Sequence, residues 1–204
     1  MNRLLITRSR HDPTTNYLYE YCEEVISQAQ NKGWKVEEAN TGVAVQSRLA
    51  KNNPDLVLFN GHGNEDCILG NNNDVLVNTE NAELLAGKTV FARACSSLRK
   101  LGKQAVSKGC NAYVGYADNF VFFTINEMEA TPLKDPAAKP ALEVSNTVAL
   151  KLVEGNSVVS AVAAARKKSV EWMTKMLASK EPYARQTFDS LLLNHLRLGI
   201  EPKA

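Results

Sequence analysis

Two apolar runs in the middle of the chain constrain its fold more than any other feature. "DLVLFNG" (55–61) and "TVFARACS" (89–96) are rich in apolar residues almost throughout, and small or polar residues end both of them. Strands that are buried on both faces have this composition, and they belong to parallel sheets covered by helices. The two runs therefore predict the centre of a parallel sheet.

Predicted strands and helices alternate along the rest of the chain. Further strands are predicted at 3–9, 34–40 and 111–118, and a hairpin around an asparagine-rich turn at 66–77. Helical periodicity marks 14–33, 43–51, 78–88, 97–109, 141–155 and 157–179. This β-α-β alternation predicts an α/β fold, a three-layer α/β/α sandwich with a mostly parallel central sheet. A length of 204 residues fits a single domain over 1–204.

Composition and charge exclude several classes of function. A net charge of +2 is too small to indicate binding to nucleic acid or to a membrane surface. The chain lacks an apolar stretch near the roughly 18 residues that span a bilayer, and its N-terminus does not resemble a signal peptide. The four cysteines follow no disulfide or zinc-ligand spacing, so no metal site is predicted and a reducing cytoplasm is expected.

One segment near the middle of the second half is predicted to be a loop. Residues 128–145 carry three prolines, and the loop from 127 to 141 is long for a connection in a compact domain. We expect this part to be mobile, to lie near the carboxyl edge of the sheet, and to be the first segment cut by a protease.

Two reactive side chains end the two central strands. His62 stands between two glycines after the first strand, and Cys95 ends the second. Ligands of open parallel sheets bind at the carboxyl ends of the strands, and a right-handed crossover can place the second strand beside the first. The spacing therefore predicts that the imidazole and the thiol lie within reach of each other, where the imidazole would lower the pKa of the thiol.

These residues resemble a known family. An apolar strand ending in His62-Gly63, followed by one ending in Ala94-Cys95, is similar to the signature of the caspase-like cysteine peptidases, which include caspases, legumain, clostripain, gingipain, separase and the CHAT proteases. The segment "LKLVEGNSVVSAVAAARKK" resembles a helix near the C-terminus of CHAT and gingipain-like domains. "CNAYVGYAD" and "SLLLNHLRLGIEP" resemble their following strand and closing segment. The similarity covers roughly residues 55–200, and the caspase pattern QAC[RQG]G itself is absent.

The resemblance implies a cysteine endopeptidase that acts on a protein or peptide substrate. Cys95 would be the nucleophile and His62 its proton-transfer partner, and the backbone N–H groups of Gly63 and Cys95 would form the oxyanion hole. No cofactor is predicted. Regulation would come from a protein partner, from an ion such as calcium, for which no motif is present, or from self-cleavage.

The resemblance also points to the residues that would select the substrate. In clostripain the position two before the nucleophile, here Arg93, lines the pocket for the residue preceding the cut. Arg93 either pairs with Asp118 at the end of the next strand, faces an acidic substrate residue, or turns away and leaves Asp118 to select a basic one. We expect an acidic or neutral residue to be preferred over a basic one.

Two other functions remain open from the sequence, a catalytically silent caspase-like interaction module and a small-molecule thiol hydrolase or transferase. The other histidines and cysteines are given structural roles, as a loop residue (His11), a structural helix residue (His195) and core residues (Cys22, Cys110). Cys67 is predicted to be a core residue of the hairpin, although its nearness in sequence to His62 leaves a redox role open. No third catalytic residue is evident, and the polar neighbours of interest are Asn60, Asn64 and Asp66.

Overall fold

A computed structural model describes residues 2–202, and its centre is a six-stranded sheet. The strands of this sheet are β1 (Arg3–Ile6), β2 (Lys35–Glu38), β3 (Leu56–Asn60), β7 (Thr89–Arg93), β8 (Ala112–Tyr116) and β9 (Leu198–Pro202), in the order β2-β1-β3-β7-β8-β9. The first five are parallel, and only β9 runs antiparallel to its neighbour β8. The α/β prediction is therefore confirmed.

The two apolar runs form the neighbouring strands β3 and β7, as predicted. All five residues of β3 are buried, and so are four of the five residues of β7. The two strands pair in parallel from Leu56 opposite Thr89 to Asn60 opposite Arg93. Their carboxyl ends therefore meet at the same edge of the sheet.

Helices cover both faces of the sheet. The helices are α1 (Pro13–Asn31), α2 (Gly42–Asn52), α3 (Lys103–Ser107), α4 (Lys139–Val153), α5 (Val158–Ala178) and α6 (Ala184–Arg197). One core joins the side chains of Leu4, Leu58 and Phe91 to α1, α4, α5 and α6. The alternate side chains, such as Leu5 and Val57, form the second core with α2 and α3. This arrangement is a three-layer α/β/α sandwich.

A small antiparallel sheet leaves the main sheet at the end of β3. It consists of β4 (His62–Gly63), β5 (Cys67–Leu69) and β6 (Val75–Asn78). The predicted hairpin corresponds to β5 and β6. Buried Ile68 and Val77 anchor this small sheet in the second core. Because β4 follows β3 after a single residue, the small sheet holds the backbone of His62 and Gly63.

A capping box fixes the start of α1. Asp12 is the N-cap residue, with Pro13 at the first helical position. The Asp12 Oδ1 accepts a hydrogen bond from the Thr15 N–H (2.7 Å), and the Thr15 hydroxyl is bonded in return to the backbone of Asp12. This reciprocal capping box fixes the conformation of the chain at residues 11–13.

Three sequence predictions need correction. Residues 78–88 form only a short 3-10 turn (Ala82–Leu85) and no α-helix. The helix predicted from 141 begins at Lys139, with Pro140 in its first turn, while Pro132 begins a separate 3-10 turn. Both α6 and β9 were missed. The buried face of α6 carries few apolar residues, so its helical pattern is weak. The strand β9 is a short edge strand, and only one of its residues is buried.

The segment from 127 to 141 is anchored at its centre. Asp135 is fully buried, and its carboxylate accepts hydrogen bonds from the Tyr17 hydroxyl (2.7 Å) and from the Ile125 N–H (2.9 Å). Ala137 and Ala138 are also buried. The exposed residues of this segment therefore lie mainly before Asp135, and its mobility stays a prediction.

None of the helices within residues 2–202 combines the length and the apolar character that crossing a membrane requires.

Candidate functional site

His62 and Cys95 follow neighbouring strands at the carboxyl edge of the sheet. Asn60 pairs with Arg93 at the end of the β3–β7 ladder. His62 lies two residues after Asn60, and Cys95 lies two residues after Arg93. The ladder is extended by one bond, because the Gly61 N–H donates to the Arg93 carbonyl (3.4 Å). The two residues therefore follow the ends of adjacent strands, as the sequence predicted, and the closeness of the imidazole to the thiol stays a prediction.

Gly63 packs directly against the strand end that carries the thiol. A β-carbon placed on Gly63 would lie 3.1 Å from the Ala94 Cβ and 3.6 Å from the Cys95 carbonyl oxygen. It would also lie 2.8 Å from the Cys67 carbonyl oxygen, closer than such contacts allow. Only glycine fits here without displacing the backbone, so the two strand ends can approach closely.

The backbone N–H of Gly63 is available to a ligand. In the β4–β5 ladder, the Asn64 N–H donates to the Cys67 carbonyl (3.0 Å), and Gly63 stands opposite Ile68. Hydrogen-bonded and non-hydrogen-bonded pairs alternate along an antiparallel ladder, so Gly63 and Ile68 form a non-hydrogen-bonded pair. The Gly63 N–H therefore points away from β5.

The N–H of Cys95 makes no hydrogen bond to any of residues 2–202. Within the part of the chain that the structure describes, two backbone donors without an acceptor thus flank the strand ends that carry the imidazole and the thiol. An oxyanion hole needs donors of this kind, held in place by the fold before the substrate arrives.

A strained turn follows the thiol. Ser96 has a φ of +55°, in the left-handed region that costs a non-glycine residue about 1–2 kcal/mol. The turn is held by the Ser96 N–H, which donates to the Asp118 carbonyl (3.0 Å), and by the Ser96 carbonyl, which accepts from the Arg99 N–H (3.0 Å). Strained backbone of this kind concentrates at functional sites.

The surroundings of the Cys95 thiol favour its neutral form. The Cys95 side chain is partly buried, and its Sγ lies 3.9 Å from the Phe120 carbonyl oxygen, to which the thiol donates. Burial raises the pKa of the Cys95 thiol, and the Asp118 carboxylate raises it further. No hydrogen bond joins Cys95 to His62 within the described residues. The expected lowering of the thiol pKa by the imidazole is therefore wrong for this state of the protein.

Asp12 is the site residue that the sequence interpretation missed. The His62 Nε2 donates to the Asp12 Oδ2 (2.6 Å), and the acceptor-only carboxylate fixes the ring proton on Nε2. The two carboxylate oxygens of Asp12 therefore have separate tasks, since Oδ1 caps α1 and Oδ2 binds His62. The Thr15 N–H and His62 hold the pKa of Asp12 below its ordinary value, although burial acts in the opposite direction. The sequence "HDPT" (11–14) marks the start of a helix. It follows β1, the strand beside the one that precedes His62.

His11 belongs to the same group of side chains. Its Nε2 lies 3.4 Å from the Asp12 Oδ2, and its ring meets the His62 ring edge to face at 5.8 Å between centroids. One ligand atom from each of His11, Asp12 and His62 lies within 4.8 Å of the other two. The prediction that His11 is a loop residue is correct, but its side chain is part of the site.

Arg93 lies beneath the site on the face covered by α1 and α4. Its side chain is 1% exposed, and its Nη2 donates to the Asn146 Oδ1 (2.6 Å). Asp118 is half-buried and lies 3.5 Å from the Arg197 guanidinium. Arg93 and Asp118 thus have different partners, and the pair considered from the sequence is not formed. A contact of either residue with a substrate stays a prediction.

The remaining polar neighbours have partners other than the imidazole. Asn60 donates to the Thr7 carbonyl (2.9 Å), and the Asn64 Oδ1 accepts from the Asp66 N–H (2.8 Å). Asp66 lies 3.6 Å from Lys100. None of the three forms a hydrogen bond with His62 within residues 2–202.

The other cysteines and the third histidine lie mostly where the sequence placed them. Cys22 and Cys110 are buried in the core. Cys67 is only half-buried, since the neighbouring Ile68 fills the core position, so the core prediction for Cys67 is wrong. His195 is part of α6.

Neither the protein-family models nor the curated proteins compared with this chain give a match.

Proposed function

We propose that the protein is a cysteine-type endopeptidase with Cys95 as the nucleophile and His62 as its proton-transfer partner. The observation that carries the proposal is the arrangement of the two strand ends. An imidazole, a thiol and two backbone N–H groups that have no acceptor among residues 2–202 lie at the same edge of the sheet. The resemblance of these residues to caspase-like cysteine peptidases supplies the substrate class, a protein or peptide.

The reaction follows from the positions of the ring protons. Asp12 holds the His62 proton on Nε2, which leaves Nδ1 as the ring nitrogen that can accept a proton. In the first step the thiol proton moves to Nδ1, and the Cys95 sulfur attacks the substrate carbonyl carbon. The oxyanion that forms is bound by the N–H groups of Gly63 and Cys95.

The imidazolium then returns its proton to the leaving amine as the peptide carbon–nitrogen bond breaks, and a thioester remains on Cys95. Water hydrolyses the thioester while His62 again accepts a proton, and the free thiol is restored with release of the acid product. Asp12 acts as a positioning residue, because it fixes the tautomer and the orientation of His62 without touching the substrate.

The raised pKa of the Cys95 thiol makes substrate binding part of this mechanism. A thiol that is neutral at rest must lose its proton to His62 within the complex, and catalytic hydrogen bonds are often long until the substrate is bound. The same observation favours a second function, a caspase-like interaction module in which the thiol never reacts. A small-molecule thiol hydrolase would use the same edge of the sheet.

One experiment separates the three functions. The purified protein is offered a peptide library and a small acyl ester, with and without calcium, beside the variants Cys95→Ala, His62→Ala and the control Cys67→Ala. We expect peptide cleavage by wild type and by Cys67→Ala, and its loss in the other two variants, whose substitutions lie outside the core. Cleavage of the ester alone would support the small-molecule hydrolase, and inactivity toward both substrates would support the silent module.

A further inference from the structure

We propose that His11, Asp12 and His62 bind a single divalent transition-metal ion of the zinc type. Their ligand set is two imidazole nitrogens and one carboxylate oxygen, which is the donor chemistry that zinc and its neighbours prefer over calcium or magnesium. Three protein ligands leave a coordination position for water or another small ligand.

The distances between the ligand atoms are close to those of a tetrahedral site. Zinc bonds of about 2.0–2.1 Å place neighbouring ligand atoms about 3.3 Å apart. The His11 Nε2 is already 3.4 Å from the Asp12 Oδ2, and the His62 Nε2 is 2.6 Å from the same oxygen. One ligand atom from each of the three residues lies within 4.8 Å of the other two. Small side-chain rotations that lengthen the contact between His62 and Asp12 would bring the ligand atoms to the spacing of a tetrahedral site.

The fold already holds two of the ligands in place. Asp12 Oδ1 is bound to the Thr15 N–H, so that only Oδ2 faces the histidines. The His11 N–H donates to the Thr15 hydroxyl (3.1 Å), which ties the backbone of His11 to the same capping box. The capping box therefore fixes the carboxylate of Asp12, as outer hydrogen bonds to metal ligands do, and the backbone of His11.

The three side chains can be reached from solvent. The exposed fractions are 17% for His11, 31% for Asp12 and 37% for His62. One feature limits the affinity, since the His11 Nδ1 is buried without a partner among residues 2–202. Metal binding at Nε2 places the ring proton on that nitrogen, where no acceptor receives it. We therefore infer a reversible site rather than a structural one.

Occupation of the site would stop the proposed reaction, an inference that rests on the proposed function. A metal ion on the His62 Nε2 leaves the single ring proton on Nδ1. The imidazole then has no lone pair to accept the proton of the Cys95 thiol. Zinc would thus act as a reversible inhibitor that takes the imidazole away from the thiol.

The test measures metal binding directly. The full chain is titrated with Zn²⁺ by calorimetry and with Co²⁺ by visible absorption, beside His11→Ala, His62→Ala and Asp12→Asn, which keeps a good helix cap. We expect one ion per chain, with affinity lowered at least about tenfold in each variant. The controls Cys95→Ala and His195→Ala should bind as wild type does, and Ca²⁺ should not compete.

The proposal is overturned if wild type binds no Zn²⁺, if His11→Ala binds with unchanged affinity, or if Cys95→Ala loses binding, which would indicate a thiol site instead. Peptide cleavage is measured separately, with and without Zn²⁺. Absence of cleavage with normal metal binding would refute the proposed function and leave the metal site standing. Cleavage that is insensitive to Zn²⁺ at saturating occupancy would refute the inhibitory role alone.

Discussion

The buried guanidinium of Arg93 allows a sharp prediction about stability. Its only hydrogen-bond partner among residues 2–202 is the Asn146 Oδ1, and its Nε and Nη1 are buried without partners. Asn146 in turn donates from Nδ2 to the Tyr21 carbonyl (2.7 Å) and to the Glu24 carboxylate (3.1 Å). Replacement of Asn146 by leucine therefore removes the one group that joins Arg93 to the rest of the hydrogen-bond network.

The size of the effect follows from the burial. Loss of the only partner of a buried charge typically costs about 3–5 kcal/mol, and we expect a loss in this range for Asn146→Leu. Arg93→Met leaves the Asn146 Oδ1 unpaired instead, which costs about 1–3 kcal/mol. The double variant Arg93→Met/Asn146→Leu removes both the charge and its partner, so it should be more stable than Asn146→Leu by at least about 2 kcal/mol.

The free energy of unfolding is measured by urea denaturation at 25 °C, with the dependence on urea checked for equal slopes in all variants. Lys139→Met is the matched surface control, because its ion pair with Glu143 is exposed and is worth about 0–1 kcal/mol. An Asn146→Leu variant within about 1 kcal/mol of wild type, or a double variant no more stable than Asn146→Leu, would refute the reasoning that the guanidinium is buried with a single partner.

The same Arg93→Met variant also tests substrate selection. Methionine is uncharged, so the variant places no new charge at this buried position. We expect wild type to cleave after acidic or neutral residues in preference to basic ones, and Arg93→Met to lose any acidic preference while it keeps the neutral one. A peptide library read by mass spectrometry gives both profiles. Cleavage by wild type only after arginine or lysine would contradict this prediction. Asp118 would then be the residue that determines substrate specificity.

Two further predictions concern the thiol and the buried tyrosine. Iodoacetamide should modify the half-buried Cys95 before the buried Cys22 and Cys110, and at the same rate in His62→Ala as in wild type, because no hydrogen bond joins the imidazole to the resting thiol within the described residues. Peptide mapping gives the rates, and slower modification of Cys95 in His62→Ala would contradict this prediction. Tyr17→Phe should lower the free energy of unfolding at pH 7 by about 1.5–3 kcal/mol, because it removes a hydrogen bond to the buried carboxylate of Asp135. Burial and this bond raise the pKa of Tyr17 above 10.0, so its contribution is complete below pH 10 and is lost as the pH rises further; a difference that grows above pH 10 would contradict this sign.

The sequence predicts the parts of this fold that depend on local pattern. The runs that became β3 and β7 were recognisable because burial on both faces requires continuous apolar residues, and their order fixes which strand ends meet. The short strand β9 carried no such signal, because an edge strand is only partly buried and its pairing with β8 is decided by the position of α6. Residues 78–88 show the reverse case. Their helix propensity predicted an α-helix, but they form only the 3-10 turn at Ala82–Leu85, because tertiary context can override propensity.

The candidate site divides in the same way. His62 and Cys95 could be predicted because each ends a recognisable strand. Asp12 could not, because its contact with His62 joins the start of α1 to the short strand β4, which no periodicity relates, and its sequence context already has a sufficient explanation as a helix cap. The two tasks of Asp12 make different demands on the side chain. An asparagine would satisfy the cap almost equally well. Its amide carries no full negative charge, and it could not accept hydrogen bonds from both the Thr15 N–H and the His62 Nε2. The carboxylate at this position is therefore explained by the imidazole rather than by the helix.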